Sequence, residues 1–500
     1  MATITLSHLT FGYDGQTELF HDVSFDLDLS WHLGLVGRNG RGKTTLLELM
    51  QGQHDYAGKI SVPTKLRYFP QPIQDETQLT LYAMQEASTA EQWQLERELN
   101  LMHGDPDILW RPFNLLSGGE QTKVRLALLF AEEDGFALID EPTNHLDAAS
   151  RELIADYLKT KPGFIVISHD RTFLDAITDH TLAIDKQAIT LYAGNYSVYA
   201  QERERQNEYE RAENAKLKRD IGRLKQSSRA KHDWSLSREG DIHGDPHVKG
   251  SGGTGHAGFV TARAARLMKK SKVLEHRMDK AIAGKSQLLK NIEDVPELTI
   301  NTSPDHHDVY VHVEDFTLSY DGQPLFAPVT FDVRRGERVA LAGPNGIGKS
   351  SLLHALQGTF TGTLTGTLAC PPSLTRSLSR QLYADNTGTI AAFAEAHHLN
   401  YQDLLNNLKK LGLERLAFTT PIERLSAGQQ KKVELAKSLV TPANLLVWDE
   451  PLNYLDLYNQ DQLAASLLKS QPTMLFVEHD QAFIDRVATK VITLSPAANP

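Results

Sequence analysis

Residues 37–44 read GRNGRGKT and residues 343–350 read GPNGIGKS. Each string fits G-x-x-x-x-G-K-[ST], follows an apolar strand (LGLVG, RVALAG) and opens a helical run (TTLLELM, SLLHAL). That is the context in which this spacing makes a phosphate-binding loop. Glycines let the chain bend tightly, so that backbone N–H groups and the N-terminus of the next helix surround an anion. The candidate nucleotide contacts are Gly37, Asn39, Gly40, Gly42, Lys43, Thr44 and Thr45 in the first copy, and Gly343, Asn345, Gly346, Gly348, Lys349, Ser350 and Ser351 in the second. Lys43 and Lys349 would neutralise terminal phosphate charge, and the hydroxyls of Thr44 and Ser350 would ligate Mg2+. One such string is compatible with a chance Gly-rich turn; two with matching partners downstream are not.

The repetition extends well beyond these loops. LSGGE at 116–120 recurs as LSAGQ at 425–429, IDEPTNHLD at 139–147 as WDEPLNYLD at 448–456, and SHD at 168–170 as EHD at 478–480. The offsets are 306 from Lys43 to Lys349, 309 from Ser117 to Ser426 and from Asp140 to Asp449, and 310 from His169 to His479. The opening strands LTFGYDGQTELF and FTLSYDGQPLF repeat too. Internal repetition of this kind decides the architecture before any other pattern. It predicts an α/β chain with two P-loop cassettes, at 1–195 and 306–500, joined by a long α-helical segment at 196–305.

In FALIDE and LLVWDE an apolar strand ends in paired acids, so Asp140 and Asp449 are expected to hold a metal while Glu141 and Glu450 polarise an attacking water. His169 and His479 lie 28 and 29 residues beyond those glutamates, after further apolar strands, placed to meet a γ-phosphate. Tyr13 and Tyr320 sit early in each copy, where a ring would stack on a base; an ordinary strand tyrosine is the competing reading.

Composition bounds the rest. At 500 residues there is room for about three domains. A net charge of −11 argues against a whole-surface polyanion binder, so any nucleic-acid contact is expected to be local, and none with DNA is expected. The opening MATITLSHLT pairs no basic region with an apolar stretch, and no run reaches the ~20 apolar residues that span a bilayer. One cysteine, Cys370, cannot form an internal disulfide and reads as a small buried apolar group. A cytoplasmic protein acting without a membrane is the expectation.

Taken together, the loops, LSGGE, LSAGQ and the paired acids resemble the ATP-binding-cassette superfamily over roughly 390 of the 500 residues. The resemblance implies an ATPase monomer whose cassettes pair head to tail. The Lys43 loop would share an ATP with Ser426 and Gly428, and the Lys349 loop with Ser117 and Gly119. It further implies that Gln71, in YFPQP, joins the metal to the moving helical region, with Gln381, in SLSRQ, as its counterpart.

The intervening segment differs from both copies. Residues 216–231 carry seven Lys or Arg against one acid, and residues 263–290 carry nine against two. Leu267, Leu274, Ala281 and Leu288 recur every seven residues, and Leu217, Ile221 and Leu224 would supply the facing stripe of an antiparallel helical hairpin. A first helix over 196–231 would be about 54 Å long. Its basic flanks suit an RNA backbone, and a tip loop from His232 to Thr261, with Trp234, His243, His247 and Phe259, would stack on bases. Taken without the cassettes, the segment reads rather as a solvated coiled coil between two domains, its charges facing water.

With the cassettes, GFVTARAARLMKKSKVLEHR, GRNGRGKTTLL and WDEPLNYLD resemble the antibiotic-resistance branch of the ABC-F proteins, especially its Lsa-like members. The resemblance implies entry at the ribosomal tRNA exit site. There the linker tip would reach 23S rRNA and peptidyl-tRNA near the peptidyl-transferase centre and dislodge lincosamides, streptogramins A or pleuromutilins. Gln71 to Ser117 and Gln381 to Ser426 span 46 and 45 residues, leaving no room for the extra arm of housekeeping ABC-F factors. The second copy has Leu452, Tyr454 and Ala427 where the first has Thr143, His145 and Gly118, so the two sites are expected to hydrolyse unequally. A housekeeping translation factor and a transporter ATPase are the competing classes.

Overall fold

The computed structural model describes residues 2–243, 273, 276, 280 and 296–497, apart from 14, 16, 17, 133, 145, 186–188, 304 and 305; over 227–243 it describes the backbone alone. Two bodies partition the chain, one from Met1–Tyr199 with Val295–Pro500 and one from Ala200–Asp294. The first body holds both cassettes.

In the first cassette, β1 (Thr3–Phe11) pairs antiparallel with β2 (Phe20–Asp28) and, on its other edge, with β4 (Ala57–Ser61). The second sheet runs β5 (Leu66–Phe69), β6 (Phe136–Asp140), β7 (Phe164–Ile167), β3 (His32–Gly37), β8 (His180–Ile184) and β9 (Ile189–Ala193), in that spatial order. All are parallel except β9. β6 and β7 are apolar and buried almost throughout, as strands covered on both faces must be. One side packs on α1 (Lys43–Met50) and the antiparallel sheet through Leu46, Leu47, Leu138 and Ile165. The other packs under α2 (Thr80–Ala87), α3 (Gln92–Leu101), α4 (Gly118–Phe130) and α5 (Ala148–Lys159) through Met84, Leu95, Leu126, Ile139, Ile154 and Val166. Because β3 lies between β7 and β8, its loop opens beside the carboxyl ends of β6 and β7, at a crevice where α/β sheets bind ligands.

After α6 (Arg171–Ile177) and β9 the chain enters α7 (Tyr196–His243), and the second cassette then repeats the plan. β10 (Val309–Tyr320) pairs with β11 (Gln323–Pro324), β12 (Val329–Arg334) and β14 (Thr363–Ala369). The parallel sheet runs β15 (Arg376–Ser379), β16 (Leu445–Asp449), β17 (Thr473–Val477), β13 (Arg338–Ala342), β18 (Lys490–Thr493). Around it lie α8 (Lys349–Gln357), α9 (Ile390–Ala396), α10 (Tyr401–Lys410), α11 (Ala427–Val440), α12 (Leu457–Ser470) and α13 (Gln481–Val487). Cys370 is half-buried against this cassette's core rather than enclosed in it.

α7 continues to His243, about 72 Å at ~1.5 Å per residue, so the loop expected to begin at His232 starts no earlier than residue 244. The stretch KHDWSLSRE contains no Gly or Pro to stop the helix. Along α7, Asn214 and Ile221 are buried and Leu217, Asp220 and Leu224 half-buried, the spacing of one helical stripe. Residues 273, 276 and 280 are helical; Leu267, Leu274, Ala281 and Leu288 lie outside the described residues, as does 244–261.

Residues 296–303, assigned by sequence to the linker, pack on the second cassette. Leu298 is buried there, its amide donating to Ser466 Oγ at 3.0 Å, and the Asn407 side chain clasps Thr299 at both its N–H (2.9 Å) and its C=O (2.8 Å). No described helix is long and apolar enough to cross a membrane.

Candidate functional site

Gly42 sits at φ 89° immediately before α1, a left-handed conformation that suits glycine, and a Cβ there would meet the Phe20 ring at 2.9 Å. This bend aims the first turn of α1 at the loop's concave side. Lys43, almost fully buried, donates from Nζ to Gly37 O at 2.7 Å and Asn39 Oδ1 at 3.3 Å. Burial lowers its pKa, partly offset by the charges of Asp456, Glu141 and Asp140. Thr44 Oγ1 donates to Asp140 Oδ2 at 2.8 Å, and Tyr68 OH donates to the same oxygen at 3.1 Å.

Glu141 holds φ 52°, fixed by its amide donating to Ile167 O at 2.9 Å, and this turns its carboxyl toward His169. His169 Nε2 lies 3.2 Å from Glu141 Oε1, and the His169 amide donates to Oε2 at 3.3 Å. Burial and the neighbouring Asp140 charge push the Glu141 carboxyl up to about 8; burial and the Lys43 charge pull His169 down to about 3.

The opposite wall comes from the second cassette. A cavity of about 390 Å3 is lined on one side by Asn39, Gly40, Gly42, Lys43, Thr44, Thr45, Asp140, Glu141 and His169. Facing them are Glu414, Ser426, Gly428, Gln429, Lys432 and Tyr454. Ser426 caps α11 in a reciprocal box with Gln429, so the positive end of a 14-residue helix closes the cavity. Ser426 and Gly428 thus lie across one cavity from the Lys43 loop. Asp456 locks it: one carboxylate oxygen accepts from Asn459 N at 2.8 Å, capping α12, while the other accepts the Asn39 amide at 2.7 Å. Asn39 Nδ2 also donates to Tyr454 O at 3.1 Å, Gln460 Nε2 to His169 O at 3.0 Å, and Arg38 lies 4.0 Å over the Tyr458 ring.

At the second loop, Gly348 (φ 101°) precedes α8, and Lys349 Nζ donates to Gly343 O at 2.7 Å and Pro344 O at 2.9 Å. Asp147 repeats the role of Asp456, capping α5 through Ser150 N at 2.9 Å and accepting the Asn345 amide, here at 3.3 Å. Ser117 caps α4 in the same reciprocal box with Glu120, and Gly119 meets Leu146 and Ser150 of its own cassette. Asp147 thus makes a cross-cassette contact at this loop. Ser350 is hydrogen-bonded to Asp449, as Thr44 is to Asp140. Glu450 adopts φ 46° like Glu141 but has different partners: Gln381 Nε2 donates to its Oε2 at 3.0 Å, Asn453 Nδ2 at 2.5 Å, and His479 Nε2 stands 3.5 Å from Oε1. Burial alone would raise its pKa; His479, with the Asn453 and Gln381 bonds, instead lowers it to about 2.

Among the described residues no cluster of three or more His, Cys, Asp or Glu could hold a metal, so a cation here needs a mixed set of hydroxyl, carboxylate and amide oxygens. Gln71 Oε1 and Asp449 Oδ1 are buried without a hydrogen-bond donor, which fits oxygens reserved for a hard cation such as Mg2+. Tyr13 bonds Thr45 Oγ1 at 3.1 Å and meets the edges of Phe11 and His54, and Tyr320 is tilted against Phe360. Both rings are about 40% exposed, Tyr13 at 39% and Tyr320 at 45%, and neither lines the 390 Å3 cavity. Ser351 continues α8 one residue past Ser350, and Gly346 turns the second loop at φ 76°.

Sequence reasoning assigned no role to Tyr68, Lys432, Glu414, Asp147 or Asp456. The aspartates were visible as the last letter of each repeated NHLD and NYLD, but their partners lie 417 and 198 residues away. Tyr68 occupies the strand position that Leu378 fills in the second copy, so repetition gave no signal for it.

A family model described as ABC transporter matches residues 20–144 and 326–453. The chain is 28% identical over 505 residues to the ribosome protection protein VmlR of Bacillus subtilis (strain 168), covering 98% of this chain and 86% of that protein. It is 27% identical over 531 residues to the energy-dependent translational throttle protein EttA of Haemophilus influenzae, covering 95% and 88%. Its fold is similar, with a TM-score of 0.60 at 17% identity, to a crystal structure of archaeal ribosomal stalk protein aP1 with the ribosome recycling factor aABCE1, covering 95% of this chain and 84% of that one. The chain belongs to the ABC transporter family of ATPases and, within it, to the ABC-F group.

Proposed function

We propose that this ATPase binds the ribosome when its cassettes close on ATP and there protects translation against drugs of the peptidyl-transferase centre. The observation that carries the reading is the cavity at Lys43, walled by both cassettes, so that a polyphosphate bound there holds the two together. In each site the loop amides and Lys43 or Lys349 take the phosphates, with the Ser426 and Gly428 end of α11 and the Ser117 and Gly119 end of α4 facing them. Thr44, Asp140 and Gln71, and likewise Ser350, Asp449 and Gln381, would hold Mg2+, which neutralises phosphate charge when bound. Glu141 and Glu450 accept a proton from the attacking water, and His169 and His479 meet the γ-phosphate, so hydrolysis releases the clamp.

The segment 196–295, at work beside 23S rRNA and peptidyl-tRNA, is proposed to carry protection against lincosamides, streptogramins A and pleuromutilins. Its seven basic residues over 216–231 and the name of VmlR support this reading. A cytoplasmic monomer is the matching state. The likeness to EttA favours a second reading, a housekeeping translation factor. Inhibitory concentrations of the three drug classes in a sensitive bacterium separate them. Protection by the wild type, lost in the Glu141→Gln/Glu450→Gln variant, supports the first; absence of protection with growth arrest by that variant supports the second.

A further inference from the structure

The residue before His169 differs from the one before His479, and so do the groups it touches. Ser168 Oγ pairs with Thr143 Oγ1 at 2.9 Å and accepts the Asp170 amide at 3.1 Å, leaving the His169 amide to donate to Glu141. In the second cassette Thr143 is replaced by buried Leu452, which offers no side-chain partner, and Ser168 by Glu478, 4% exposed. Glu478 Oε2 accepts the Leu452 amide at 3.2 Å and Oε1 accepts the His479 amide at 2.8 Å. Lys431, buried where the first copy has Thr122, is offset in charge by Glu434 first and then by Glu478, Asp449 and Glu450, while its Nζ donates to Arg380 O at 3.3 Å.

We propose that Glu478 is a positioning residue that makes the second site the slower of the two, by drawing the His479 amide away from Glu450. Deprived of that amide, Glu450 Oε2 is taken by two side-chain donors, Gln381 at 3.0 Å and Asn453 at 2.5 Å. Two N–H bonds hold Oε2 in place, which leaves Oε1 as the oxygen with open acceptor sites and ties the orientation of the carboxyl to Gln381 and Asn453. Gln381 must also leave Glu450 before it can serve elsewhere in the site. In the first site, among the described residues, the Glu141 carboxyl is met instead by the His169 amide at 3.3 Å and by His169 Nε2 at 3.2 Å. The inference rests on Glu450 acting as the base, and its test separates the two ideas.

In the full-length protein, Glu141→Gln silences the first site, and ATP turnover then reports the second. Adding Glu478→Ser should raise kcat about fivefold, the effect of one freed hydrogen bond, with the KM for ATP unchanged. Should that variant not fold, Lys431→Thr/Leu452→Thr/Glu478→Ser rebuilds the first cassette's Thr–Ser pair without the buried charges, and the same rise is expected. Unchanged or lowered kcat in a folded variant, or a change confined to KM, would overturn the inference. Glu141→Gln/Glu450→Gln is the control: turnover that survives in it removes Glu450 as base, whereas its loss alongside an indifferent Glu478→Ser removes the proposal alone.

Discussion

Glu141 and Glu450 share a left-handed backbone and a histidine neighbour, yet one carboxyl is met by the amide and ring of His169 and the other by two amide side chains. Replacing both with glutamine should leave ATP bound and cut phosphate release by about 100-fold or more, the usual contribution of a positioned base; rapid turnover by that variant would contradict both assignments. Tyr68→Phe removes one of two hydroxyls held by Asp140, so the Mg2+ concentration for half-maximal turnover at the first site should rise about fivefold. Outside the sites, buried Glu434 joins Arg380, Lys437 and Asn386. Burial would raise its pKa, but those partners outweigh it and lower it, so its stabilisation is present above the ordinary carboxylate range and fades as pH falls. Glu434→Gln should cost about 3 kcal/mol at pH 7 and less at pH 4, read by denaturant titration. The glycines, lysines and acids of both loops were legible because their spacing is local. Glu478 was quoted only as a letter in EHD, because its meaning depends on Leu452, which is 26 residues away.

The cassette helices follow their sequence signals closely. Ser117 and Ser426 were expected to face nucleotide, and each begins a helix with a capping box whose third residue, Glu120 or Gln429, is the last letter of the quoted motif. α7 runs past residue 231, where a tip loop was expected to follow, because 232–239 contains no Gly or Pro to stop a helix. Replacing Lys216, Lys218, Arg219 and Arg223 with glutamine should weaken ribosome binding and flatten its salt dependence, each lost RNA phosphate contact lowering the log–log slope by roughly 0.7. An unchanged slope would move the contact off α7. Shortening 244–261 should leave ATP turnover intact while drug protection is lost; retained protection would place the active element elsewhere.

Across the whole molecule, the two ATP sites are assembled by residues hundreds of positions apart, which no local pattern reveals. The head-to-tail pairing came from resemblance; the structure adds that an aspartate capping one cassette's helix also holds the other's loop amide. Asp456→Ala should raise the KM for ATP at the first site about tenfold in a Glu450→Gln background, as expected for a hydrogen bond to a charged group. Asp147→Ala should do less to the second site in the Glu141→Gln background, since its contact is longer, 3.3 Å against 2.7 Å. The most direct measurement is sedimentation of the Glu141→Gln/Glu450→Gln protein with purified bacterial ribosomes at low salt, with and without ATP. ATP-dependent co-sedimentation that is lost at high salt is the expected result, and protein that stays in the supernatant with ATP present would contradict the proposed action on the ribosome.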